Sequence, residues 1–269
     1  MSEEESSDTG MLVRKSHERV KSYYKNDFEY DQLPVPRSNE FLRQHISEKL
    51  SLCVLYVDLI GSTQMSSKLS PDILSFIIRS FCQEMAYIIE HYGGYVLKFV
   101  GDAAIGYFLA GDKPGLVAEK TTECGKSMIA VIENAINPVL KKEGYQELKV
   151  KITAGYGKAI VILYSSDKSK AHIDIIGLLL NLAAKMQSVT KPNQIVIGEQ
   201  IYNKLNSKLK TLFQRVDTDT TGWNYKIIDG ETYSVYSYSP KVFWDIQILV
   251  LKQKTTLERY NKRMDKNGR

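Results

Sequence analysis

Two acidic turns are the stretches of this chain best suited to chemistry. The first is Val57-Asp58-Leu59-Ile60-Gly61-Ser62-Thr63, which follows the apolar run Leu52-Cys53-Val54-Leu55-Tyr56-Val57. The second is Lys98-Phe99-Val100-Gly101-Asp102. A carboxylate at the end of a buried strand can hold a hard cation. The backbone N–H groups of the small and polar residues after it can face phosphate oxygens. Taken singly, an Asp at a strand end is common, and Asp102 is also simply a good turn residue. Taken together, the two acids point to metal. Carboxylates that converge repel each other, and divalent cations between them relieve the repulsion. Two such ions about 3.5–4 Å apart can activate one oxygen and stabilise a leaving oxygen at phosphorus.

The elements that must position these acids follow from hydrophobic periodicity. Residues 51–57 read as a strand. Ser70 caps a helix with Pro71 at its first position, and the apolar stripe 73, 74, 77, 78, 81, 85, 88, 89 carries it to 91, where Gly93-Gly94 ends it. Residues 95–100 and 103–109 are strands joined by the two-residue loop Gly101-Asp102, with Gly first as a type II′ hairpin prefers. A helix over 116–142 follows, with Pro138 as a late kink or stop. A strand begins at 148 and reaches Tyr156, where Gly157 is expected to turn it into a second strand, 159–163. A polar loop over 164–171 leads to the strand His172–Gly177, then a helix over 178–188. Strand 194–197, helix 198–207, strand 211–216, a hairpin over 223–238 and a basic helix over 242–265 complete the chain. The order β-α-β-β-α-β predicts an α+β sandwich with a ferredoxin-like core: a mostly antiparallel sheet with helices on one side, plus an additional C-terminal αβ subdomain. In this topology the end of the first strand and the tip of the hairpin are neighbours, so Asp58 and Asp102 converge. The expected division is 1–48 as an acidic disordered tail with short helices, 49–240 as the folded domain that carries both acids, and 241–269 as the basic helix.

Composition narrows the function classes. Of 269 residues, 43% are hydrophobic and 25% charged, enough for one substantial core, and the net charge of +5 suits an anionic small substrate. The lysines are scattered and no basic run alternates with aromatics, so no nucleic-acid footprint is expected. Cys53, Cys82 and Cys124 have no paired spacing, and His17, His45, His91 and His172 are isolated, so neither a disulfide frame nor a histidine metal site is expected. No apolar run reaches the length of a membrane span, and the start Met1-Ser2-Glu3-Glu4-Glu5 is not a signal peptide, which leaves a cytoplasmic protein as the expectation.

With these turns the chain resembles the class III nucleotidyl cyclase catalytic domain over about residues 50–240. The resemblance rests on Val57–Thr63, on Gly93–Asp102, and on Asp174-Ile175-Ile176-Gly177 with Asn181, Ala183 and Met186 behind it. It implies formation of a 3′,5′-cyclic nucleotide and pyrophosphate by attack of the ribose 3′-hydroxyl on the α-phosphorus. It implies two divalent ions, Mg²⁺ or Mn²⁺, on Asp58, Asp102 and the Leu59 carbonyl, and a phosphate cradle of N–H groups from Ile60, Gly61, Ser62 and Thr63. Lys98 and Asp174 match the base-reading pair. A Lys donor beside an Asp acceptor suits adenine, whose edge shows an acceptor ring nitrogen next to a donor amine, and disfavours guanine and uracil. Cytosine shows the same pattern, so ATP is favoured, and a cyclase for another base, CTP before GTP, stays open. Asn181 matches the ribose-orienting residue. Lys185 stands where the family usually has an arginine on the transferring phosphate, and it lacks the planar fork. Lys226 resembles the triphosphate-binding lysine, though Ile227 replaces the usual glycine after it. The family builds each site from two domains, so a head-to-tail homodimer with two equivalent sites is implied. A catalytically quiet nucleotide-binding module of the same fold is the alternative that the departures at Lys185 and Ile227 keep open.

Overall fold

The computed structural model describes residues 3–25, 35–167, 170–227 and 230–238. Two helices come first, α1 (Glu3–Lys25) and α2 (Val35–Gln44), before strand β1 (Lys49–Leu59). The short α3 (Ser62–Lys68) and the long α4 (Pro71–His91) lead to the hairpin β2 (Tyr95–Val100) and β3 (Ala103–Leu109). Then come α5 (Pro114–Val131), α6 (Asn137–Lys142), β4 (Val150–Leu163), β5 (Ile173–Ile176) and α7 (Leu178–Met186). The last part holds β6 (Gln194–Gly198), α8 (Glu199–Lys204), α9 (Ser207–Lys210), β7 (Gln214–Arg215), α10 (Thr218–Thr221) and β8 (Val235–Tyr238). The expected basic helix over 242–265 lies outside the described residues.

The strands form one sheet in the order β2-β3-β1-β4-β6-β8-β7, with β5 paired to β4 off that path. Among the described residues only the β4–β6 pairing is parallel. The first four positions reproduce the split βαββαβ arrangement, and β6, β7 and β8 with α8–α10 extend it as the C-terminal part. The alternation along β1 sorts its side chains to two faces. Cys53, Leu55, Val57 and Leu59 enter one apolar layer with Phe81, Met85 and Ile89 of α4 and Cys124, Met128 and Ile129 of α5. Leu52 and Val54 enter the other, with Leu179, Ala183 and Met186 of α7 and Leu42 of α2. Helices therefore cover both faces of the sheet, where one covered face was expected.

Local chemistry explains most boundaries. The Ser70 hydroxyl accepts from Ile73 N–H to open α4. A single π-helical turn, Ile132–Ile136, links α5 to α6. It absorbs Pro138, which has no N–H to give to a regular helix, so the helix continues past the expected break.

Three further expectations are corrected. Residues 3–25 form one helix, where a tail and a short separate helix were expected. Leu12 and Val20 of α1 join the core, and Arg19 makes a paired contact with the fully buried Glu84 of α4, at 2.9 Å from Nε to Oε1 and 2.5 Å from Nη2 to Oε2. Gly157 does not turn the chain, because its place opposite Leu52 keeps β4 in register with β1 through all of 150–160. Only Gln214 and Arg215 of the expected 211–216 strand pair with β8. Among the described residues no helix is long and apolar enough to cross a membrane.

Candidate active site

Strand register brings the two acids together. Asp58 pairs with Ala103 across β1 and β3, so Asp102, the preceding residue, sits beside it at the hairpin tip. Gly101 makes that tip with φ of +60°, a backbone region open to glycine at little cost. Both acids are half-buried. Burial, and next the negative charge of Asp102, hold the Asp58 carboxyl above the usual carboxylate range, while Lys151 opposes them. Lys151 is the residue opposite Asp58 on β4, and its ammonium donates to the Gln187 carbonyl at 3.1 Å. Behind the site the Cys82 thiol is pushed up to about 12, mainly by burial and next by Asp102, so it stays protonated.

The donor set suits a hard divalent ion. Among the described residues no three His, Cys, Asp or Glu side chains gather as a closed metal cage. Two carboxylates and a carbonyl leave several positions for water and phosphate, which is how Mg²⁺ is usually held. The carbonyl follows from strand parity. Ile60 N–H donates at 2.9 Å to the carbonyl of Lys149, the residue just before β4, so the peptide groups of Ile60 face β4, and those of the neighbouring Leu59 face the opposite side, toward β3 and Asp102. The same bond corrects one expectation: the Ile60 N–H is committed to the sheet and is not available to a phosphate. The rest of the expected cradle comprises Gly61, at φ +82°, with Ser62 and Thr63 in the first turn of α3, where N–H groups have no intrahelical acceptor.

Lys98 and Asp174 meet directly as an ion pair. Asp174 is 7% exposed, and its other oxygen accepts from Ile175 N–H at 2.9 Å. These residues are far apart by strand pairing. Lys98 lies at the level of Tyr56 through Ile105, whereas Asp174, opposite Ile162, lies beyond the Lys49–Ile160 pair at the start of β1. Their contact requires the far half of β4 and β5 to curl back over the sheet. The Tyr56 phenol faces the pair; it is pushed up to about 12 by burial first and by the charge of Asp174 second. His172 also reaches toward Asp174, with Nε2 at 3.9 Å.

Asn181 and Lys185 are both exposed, four residues apart on one face of α7. The helix is seated by Thr153 of β4, whose hydroxyl donates to the Ala183 carbonyl at 2.8 Å. The Lys185 ammonium lies 5.8 Å from the Tyr225 ring centre. Tyr225 immediately precedes Lys226, which is exposed and bridges to Thr232, so the α7 face and this bridge are close neighbours. The structure thus forms two clusters, Asp58–Asp102 and Lys98–Asp174, and a third around Lys185 and Tyr225.

Sequence reasoning passed over two residues here. Lys151 stands opposite Asp58, and its signal was a cation alternating with Val150 and Ile152 at the start of an apolar strand. Tyr56 shares the face of Asp58 because it lies two residues before it, which is the period of a strand.

Residues 45–236 match the family described as the adenylate and guanylate cyclase catalytic domain. A uridylate cyclase from Rhodovulum sp. is 24% identical over 220 residues, covering 76% of this chain and 86% of that protein. A cytidylate cyclase from Staphylococcus aureus is 24% identical over 215 residues, covering 75% of this chain and 49% of that protein. The crystal structure of an adenylyl cyclase from P. aeruginosa superposes with a TM-score of 0.60 at 21% identity, over 71% of this chain and 94% of that one.

Proposed function

The chain belongs to the adenylate and guanylate cyclase catalytic domain family, and from that premise we propose that it converts ATP to 3′,5′-cyclic AMP and pyrophosphate at a homodimer interface. The observation that carries this reading is the convergence of Asp58 and Asp102 at the joined ends of β1 and β3. These two carboxylates and the Leu59 carbonyl are the groups that would hold the divalent ions. When bound, such ions lower the pKa of the attacking hydroxyl and neutralise charge on the departing phosphates. In the reaction the ribose 3′-oxygen bonds to the α-phosphorus, the bond from that phosphorus to the bridging oxygen breaks, and pyrophosphate leaves with the electron pair. The hydroxyl proton passes to solvent.

The chain's own residues supply binding and orientation. Gly61, Ser62 and Thr63 offer N–H groups to phosphate oxygens. Asn181 orients the ribose, and Lys185 offsets charge on the transferring phosphate as a single ammonium rather than a fork. Lys151 and Lys226 add positive charge for the triphosphate. Lys98 donates to the acceptor nitrogen of the base and Asp174 accepts from its amine. In this reading one protomer gives Asp58 and Asp102 and its partner gives Lys98, Asp174, Asn181 and Lys185. As in other phosphoryl transfers, positioning and electrostatics carry the catalysis.

A second reading, a cyclase for CTP, is favoured by Tyr56. Its half-buried ring takes up room beside Asp174, and a pyrimidine needs less depth while presenting the same acceptor–donor edge as adenine.

The test is incubation of the purified chain with each of ATP, CTP, GTP and UTP in Mn²⁺ or Mg²⁺, with products identified by mass. Cyclic AMP as the main product supports the first reading and cyclic CMP the second. No cyclic product from any nucleotide refutes both and leaves a binding module. Mixing Asp58→Asn with Lys98→Ala protein tests the shared site. Random re-pairing of two inactive variants restores one intact site in half of the dimers, roughly a quarter of wild-type activity. No recovery, with subunit mixing shown independently, would refute the shared site.

A further inference from the structure

The Lys98–Asp174 pair joins two strands that are not neighbours, since β3, β1 and β4 stand between β2 and β5 in the sheet. Backbone pairing alone therefore does not set the distance between these two side chains. Among the described elements, α2 packs against both strands. On the β2 side, the Phe41 ring lies 5.0 Å from Tyr95, and the Arg37 guanidinium sits 4.5 Å over the same ring. Ser38, fully buried, donates to the Tyr107 hydroxyl at 3.2 Å, and Tyr107 stacks on Tyr95 at 5.2 Å. On the β5 side, Arg43 Nη2 donates to the Ala171 carbonyl at 2.8 Å, three residues before Asp174. Between these contacts Leu42 is fully buried in the same apolar cluster as Leu97 and Ile173, the neighbours of Lys98 and Asp174 in sequence.

We propose that α2 is the brace that sets the spacing of the base-reading pair, with Arg43 and Phe41 as its two positioning residues. Neither touches the nucleotide in this arrangement. They act by holding the curled β4–β5 segment at the distance from β2 where Lys98 and Asp174 can address one base edge together. Misplacement by about an ångström at such a site costs binding and orientation far from the mutated residue. The effect falls on nucleotide affinity and base discrimination, and not on the Asp58–Asp102 end, which is held by β1, β3 and the start of β4.

The inference rests on the proposed cyclase activity for its kinetic arm and is independent of it for its structural arm. In the first arm, Arg43→Met and Phe41→Leu are assayed with ATP, CTP and GTP. KM for the preferred nucleotide is expected to rise about tenfold with kcat within about twofold, in line with loss of a hydrogen bond to the backbone. The margin over GTP is expected to narrow, and Arg43→Lys to recover part of the loss. In the second arm, spin labels at Val100→Cys and Ile176→Cys in a Cys82→Ser background report the β2–β5 distance; both positions are exposed, while Cys53 and Cys124 are buried. Arg43→Met is expected to broaden or shift that distance distribution. Unchanged KM and discrimination in folded variants, or an unchanged distance distribution, would overturn the brace. If no cyclic product forms from any nucleotide, the cyclase reading fails, yet the distance measurement still decides this one.

Discussion

Removing the Arg19 side chain should unfold more of this protein than its position near the chain start suggests. Glu84 on α4 is fully buried, and its carboxylate is met by two nitrogens of the Arg19 guanidinium. The guanidinium also lies 4.5 Å over the Tyr87 ring. Truncation to Met leaves an uncompensated charge in the interior. Breaking a fully buried pair in this way costs about 3–5 kcal/mol. Arg19 keeps 28% of its side-chain surface exposed, so water relieves part of the loss, and about 2–4 kcal/mol is the working figure. For a domain of this size that lowers Tm by roughly 5–12 °C. The assay is thermal and urea unfolding of wild type, Arg19→Met, Glu84→Met and the double variant. The double variant should lie closer to wild type than either single one, because two apolar groups replace a matched pair. An Arg19→Met loss below about 1 kcal/mol, or strictly additive single losses, would refute the reasoning and return α1 to the status of an appendage.

Other outcomes follow from the site. Asp58→Asn should abolish cyclic nucleotide formation yet raise Tm in EDTA at pH 8 by a few degrees at most. The sign follows from the raised carboxyl: a folded pKa above the unfolded one destabilises the fold once pH exceeds it, and the penalty vanishes below the unfolded value. Mn²⁺ should stabilise wild type and leave Asp58→Asn unmoved, read by the same melts. Lys98→Glu should reduce activity on ATP by at least about a hundredfold, with GTP the least affected substrate when all four nucleotides are compared. Lys185→Arg should raise kcat several-fold, about 3–10, if a planar fork reaches the transferring phosphate, and an unchanged kcat would place Lys185 away from it.

The site acids were legible in the sequence because each marks a break in a period. Asp58 ends a run of apolar residues and Asp102 fills a two-residue hairpin, and such signals are local. The core topology was legible for the same reason, since strand and helix periods alternate cleanly from 51 to 156. What stayed hidden depends on contacts between distant segments. α1 carries few apolar residues, and its helix is stabilised by Leu12, Val20 and Arg19 meeting partners on α4 and α5 that no window of sequence contains. Gly157 signals a turn by itself, but pairing to β1 overrides it. The curl that brings Asp174 onto Lys98 has no local marker, and with it the placement of Tyr56 and α2 beside the pair was out of reach. The match to the family supplied Asp174 where periodicity could not.

On the proposed reading, the Lys98–Asp174 contact means that the two base-reading side chains already satisfy each other before a nucleotide arrives. A nucleotide bound in that way competes with a bond already in place. A base with the matching edge offers each side chain a new partner for the one it gives up, so the exchange is close to even and affinity must come from the phosphates and the sugar. A base with the opposite edge can satisfy neither group, and the two side chains simply keep hold of each other. Rejection is then the resting state of the pocket rather than an additional step, and selectivity should persist even at nucleotide concentrations that saturate the phosphate end.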